Sequence, residues 1–367
     1  MPISIIVSFG IACVTAQAEV FRYHASGNWD NVAMGDSGWG LNPNNPAVLD
    51  GSLPGESDDA RINFGNNTVT VDSAVPTVSR VQIGVDESGQ VVVEDNGVLT
   101  ANLDVLAGNN NANATGTLTV NGGGVVNVGR ILWAAQNQSN GVINLNAGGV
   151  INVASHLWLG ASGNAEVNIS GALNQTGGIL GLGTLNASDA SGGTATVNVN
   201  DGGLLALNNI SSAGGLPSIQ TGSVLNINGT GQVTLPGDFV TVIRNYIEAG
   251  KIIGNLGGSS VLVDLTTNPG FTTVTAGPII GPNEGPLVVS SISLDPATGE
   301  ITMTWNSIET ETFRILYGVD LLSFEKFLVS EYGAGPGTST TFSFNRSSLG
   351  DAATAGTVFF RVERELP

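Results

Sequence analysis

Two tryptophans, Trp133 and Trp158, sit 25 residues apart in near-identical settings, Leu132-Trp133-Ala134 and Leu157-Trp158-Leu159. Paired exposed indoles can form a platform for sugar rings; the same pair can also be covered as structural packing. His156 and Arg130 lie beside them and complete the candidate binding set. Asp72, Glu94, Asp95 and Asp104 form the other group with chemical potential. A carboxylate pair can drive glycoside hydrolysis, and clustered carboxylates with a nearby Lys or Arg base can drive polysaccharide elimination. Lys is absent before Lys251, and among the repeats described below the arginines are Arg80 and Arg130, with Arg61 and Arg244 at the edges. Solvated corner carboxylates are the plainer expectation. The histidines are His24 and His156, too few for a zinc site, so no metal and no cofactor is expected.

These side chains must be carried by a repeat. Val71, Val93, Val120, Leu145, Ile169, Val199 and Ile227 end similar strand-like segments at spacings of 22, 27, 25, 24, 30 and 28 residues. A second series ends at Gly84, Gly108, Ala135, Gly160 and Gly183. Gly-rich corners separate it from a third set that includes Val125-Val126-Asn127-Val128 and Val150-Ile151-Asn152-Val153. Three short period-2 strands per unit cannot bury their own apolar side, but stacked units can. The expected fold is all-β, a right-handed parallel β-helix of about seven coils, roughly 30 Å long at ~4.8 Å per rung.

Stacking also accounts for the composition. Charged residues are 11% of the chain, because like charges one rung apart repel while amides bond to their own kind. Asn144, Asn168, Asn198 and Asn226 are expected to form one ladder, and Asn121, Asn146, Asn200 and Asn228 a corner ladder. The alternative is a ligand-binding amide face. The net charge of −19 argues against nucleic acid as a partner, and no apolar run is long enough for membrane insertion.

The organisation reads as follows. Residues 1–18 form a signal peptide, with an apolar stretch from Ile3 to Thr15 before Ala16-Gln17-Ala18 and with the lone Cys13 inside it. Residues 19–64 form an N-terminal cap or a first irregular coil. Residues 65–254 form the β-helix, ending in a capping helix within 239–249 that Asp238 caps and Gly250 terminates. Residues 255–286 are a Pro- and Gly-rich linker, and 287–367 a small antiparallel β-sandwich.

Three features resemble a known group. Gly27-Asn28-Trp29 with Leu53-Pro54-Gly55-Glu56-Ser57-Asp58-Asp59-Ala60 is similar to its opening block, and the Leu-x-Leu-Gly rungs to its repeats. Trp305-Asn306-Ser307, Phe313-Arg314-Ile315-Leu316-Tyr317 and Phe359-Phe360-Arg361-Val362 are similar to its C-terminal domain. The chain thus resembles the exported bacterial PEP-CTERM and autotransporter-associated β-strand repeat proteins of planctomycetes and verrucomicrobia. That resemblance implies secretion, a β-helix and a surface or matrix role without assigned chemistry. The chain departs from it in ending at Glu365-Leu366-Pro367, without a sorting tail, so release or non-covalent retention is expected. The functional expectation is a secreted, non-enzymatic structural or adhesive protein that meets polysaccharide or other surface proteins. The alternative is a β-helix polysaccharide lyase or glycoside hydrolase.

Overall fold

The computed structural model describes residues 18–31, 38–41, 52–183, 192–211, 216–279, 287–307, 312–320, 324, 326–335 and 339–365. The signal-peptide reading, including Cys13, falls almost wholly outside them. The chain divides into two compact units, residues 1–279 and 280–367.

The first unit is a parallel β-solenoid of about seven turns. Its strands fall into three stacks visited in rotation. One holds Asn67–Val71, Gly89–Val93, Thr115–Val120, Asn140–Leu145, Asn164–Ile169, Thr194–Val199 and Val224–Ile227. The anchors pair in register from rung to rung, Val71 with Val93, Val93 with Val120, Val120 with Leu145, and onward to Ile227. A second stack runs from Val98–Ala101 to Gln232–Pro236. A third runs from Val20–His24 through Asp59–Ile62, Arg80–Ile83, Asp104–Ala107, Ile131–Ala134 and Leu157–Leu159 to Leu180–Leu182.

Alternation sends Val, Ile and Leu inward from all three stacks to one continuous core. The corners demand unusual backbone. Gly160 turns with φ +73°, and a Cβ there would lie 2.2 Å from the carbonyl oxygen of Thr194. Ala135 makes the equivalent turn with φ 61°.

Residues 19–31 form the irregular first coil. Val20–His24 pairs parallel with Asp59–Ile62, and Gly27–Asn28 pairs parallel with Asn67–Val71. The core end is plugged by aromatics. Trp39 meets Trp29 at 4.6 Å and Tyr23 at 5.0 Å between ring centroids, and its Nε1–H donates to the Trp29 carbonyl at 2.7 Å.

At the other end the helix Val240–Glu248 stands, in chain order, where a third-stack strand would come. Ile243 and Tyr246 are buried, and Phe239, Val242 and Ile247 pack beside them. Asp238 accepts from the Val240 N–H at 3.0 Å, and Gly250 ends the helix with φ +66°.

The linker expectation is corrected over 255–279. Ser259–Asp264 and Phe271–Ile279 form an antiparallel pair, and Phe271–Ile279 also pairs antiparallel with Gln232–Pro236. An open rung exposes unpaired backbone groups, and a reversed strand satisfies them while halting the parallel repeat. Residues 280–286 lie outside the described residues.

The second unit has two three-stranded antiparallel sheets. One orders Val289–Leu294, Glu300–Asn306 and Ser339–Asn345, and the other Lys326–Gly333, Thr312–Gly318 and Phe359–Glu365. Trp305 from one and Phe313 from the other meet edge-on at 5.4 Å in the shared core.

Candidate functional site

Third-stack strands send alternate side chains outward. Leu132 and Leu157 point to the core, so Trp133 and Trp158 project outward in register on adjacent rungs. Their ring centroids are 6.4 Å apart with planes tilted by 36°. His156 stacks on Trp158 at 5.2 Å and 18°. Its Nδ1 accepts the Ile179 N–H at 3.2 Å, and burial lowers its pKa.

The two indoles differ in access. Trp158 is 7% exposed, clustered with Ala161 and flanked by Ile131, Trp133 and Ile179. It is packing. Trp133 is half-buried and keeps an accessible part. The structure therefore brings Trp133, Trp158 and His156 together as one small aromatic cluster, with Trp133 as the member open to a ligand.

Arg130 is committed elsewhere. Its guanidinium donates through Nε to Asp104 Oδ1 at 2.8 Å and makes a second contact to Asp104 Oδ2. Asp104 also accepts from Arg80 Nε at 3.3 Å, and Arg80 reaches Asp59 at 3.7 Å. Hydrogen bonding to Asp104 raises the Arg130 pKa. Burial raises the Asp59 pKa and outweighs the pull of Arg80 and Arg61. Acid and base thus alternate over adjacent rungs, so that each charge meets an opposite one.

The carboxylates at the first corner column are occupied too. Asp72 accepts from Asn28 Nδ2 at 2.9 Å, and Glu94 from Asn121 Nδ2 at 2.7 Å. Asn146 then donates to Asn121 at 2.7 Å, and Asn228 to Asn200 at 2.9 Å. In the other expected ladder Asn168 donates to Asn144 at 3.1 Å, Asn198 to Asn168 at 2.9 Å and Asn226 to Asn198 at 3.1 Å.

Sequence reasoning missed two ladders. Asn174 donates to Asn152 and Asn152 to Asn127, each at 3.0 Å, and Asn127 to Thr100 at 3.3 Å. Their common position in the second-stack strand of each repeat was the available signal. The Asp59–Arg80–Asp104–Arg130 series was the other, and it has no repeat to reveal it.

No protein-family model, curated protein or solved structure matches the chain. Among the described residues no helix is long and apolar enough to cross a membrane, and no group of three or more His, Cys, Asp or Glu is placed to hold a metal ion.

Proposed function

We propose that the chain is an exported, non-enzymatic structural or adhesive protein of a cell surface or matrix, with Trp133 as its contact to glycans. One observation carries this reading: the polar side chains along the coils bond to one another. Amides bond to amides across rungs, Asp72 and Glu94 accept ladder amides, and Asp104 is held by two arginines. Side chains so engaged make a rigid exterior suited to spacing and contact. Trp133 adds an accessible indole on that support, beside Trp158 and the His156 ring stacked on it.

The test is to incubate the purified protein with insoluble cell-wall and matrix polysaccharides, scoring both retention and release of new reducing or unsaturated ends. Retention without released ends is expected, and Trp133→Ala weakens it about tenfold, the effect of losing one stacked ring. Released ends overturn the non-enzymatic reading. Retention unchanged in Trp133→Ala removes the indole as the contact.

A further inference from the structure

The outward column that carries Trp133 does not begin there. Arg22 is in register with Arg61, Arg61 with Gln82, Gln82 with Leu106 and Leu106 with Trp133. Two arginines on neighbouring rungs contradict the rule by which the rest of the solenoid is built. Elsewhere on this stack Asp59 faces Arg80 and Asp104 faces Arg80 and Arg130.

The ion pairs among the described residues use Arg80, Arg130, Arg314 and Arg361, and neither Arg22 nor Arg61. The chain has 30 acidic and 11 basic residues, so a partner carboxylate was abundantly available. Asp86 acts on Arg22 only through its field, and Asp59 is already engaged by Arg80.

Unmet hydrogen-bonding capacity gathers at the same place. Arg61 Nε and Gln82 Oε1 are buried without a partner, as are both ring nitrogens of His24, which is 2% exposed. Buried polar atoms without partners cost stability and call for an explanation. Here Arg61 Nε belongs to the cationic pair, and Gln82 Oε1 lies one rung further along the same column.

We infer that Arg22 and Arg61 bind the acidic groups of an anionic polysaccharide whose chain passes over the buried Gln82 and Leu106 to reach Trp133. A guanidinium pair suits planar carboxylates or sulfate esters through paired N–H donors. Arg61 and Trp133 are three rungs apart, about 14 Å at ~4.8 Å per rung, the reach of a trisaccharide. This inference rests on the glycan reading of Trp133 and adds to it the charge of the polymer.

The test measures binding of polygalacturonate, a sulfated galactan and neutral galactan to the full chain. The wild type, Arg22→Gln/Arg61→Gln, Arg22→Lys/Arg61→Lys and Trp133→Ala are compared, with circular dichroism as the check on folding. The expected result is tight, salt-sensitive binding of the acidic polymers. The Gln pair weakens it about tenfold or more while leaving neutral galactan unchanged. The Lys pair, which keeps charge but loses the fork, falls between and keeps the test decisive should the Gln pair fail to fold. A higher Tm for the Gln pair is also expected, because the repulsion is relieved.

Equal wild-type binding of acidic and neutral polymers, still dependent on Trp133, overturns the anionic inference and spares the glycan reading. Unchanged acidic binding in both Arg-pair variants overturns it as well. Free sulfate bound as tightly as the sulfated galactan overturns the polymer. Binding of none of the three overturns the inference and the glycan reading together.

Discussion

Asn198 donates from Nδ2 to Asn168 Oδ1 at 2.9 Å, and Asn168 passes the pattern on to Asn144 at 3.1 Å. Each amide accepts from the rung after it in sequence and donates to the rung before it, so the bonds all run one way. Asn168→Ala removes a link that both donates and accepts. Partial solvent access softens the loss, and a destabilisation of about 1–2 kcal/mol is expected in urea titrations. A smaller change than Asn168→Ser would show that the ladder adds nothing to stability.

Gly160 and Gly202 separate two costs. Both have left-handed backbone, φ +73° and +72°, but a Cβ on Gly160 would meet Thr194 O at 2.2 Å while one on Gly202 meets nothing within 4 Å. Gly202→Ala should cost about 1–2 kcal/mol, the backbone penalty alone. Gly160→Ala should cost clearly more, because a corner of the neighbouring coil must move. Thermal melts of the two variants measure the difference, and equal Tm losses would contradict the close approach.

Asp104 sits between Arg80 and Arg130, with its side chain 6% exposed against 35% and 47% for theirs. Asp104→Asn leaves two guanidiniums able to turn to water, so the loss should be about 1–3 kcal/mol, below that of a fully buried pair. A double-mutant cycle with Arg130→Gln should give a favourable coupling that shrinks in high salt. A coupling of zero would mean that the contact is incidental.

His24 makes stability depend on pH. Burial, then the charge of Arg22, lowers its folded pKa below the ordinary value of 6.5. The unfolded chain therefore takes up a proton at a higher pH than the folded one. Stability is fully present above about pH 6.5 and declines as pH falls below it, until the folded pKa is reached. Burial lowers the pKa of His156 as well, so it contributes in the same direction. His24→Gln should flatten the Tm profile between pH 7 and 5 relative to wild type. An unaltered profile would place the acid sensitivity elsewhere.

Val71, Val93, Val120, Leu145, Ile169, Val199 and Ile227 were legible as one file because each repeats the same inward step, and the file is continuous. The amide ladders at Asn144 and Asn121 were legible for the same reason. The hairpin of Ser259–Asp264 and Phe271–Ile279 was not, since its prolines and glycines read as a linker and its partner, Gln232–Pro236, is defined by the end of the repeat. The aromatic cluster was half legible: the shared column of Trp133 and Trp158 came from spacing, but their unequal exposure did not.

Recurrence alone determined the stacking, because identical steps of a coil place identical residues a rung apart. The tertiary structure decided what occurs once: Arg22 beside Arg61, Asp104 between two arginines, Trp158 covered and Trp133 open. Such contacts depend on the length of each coil and the shape of each corner, and a contact made once leaves no period in the sequence.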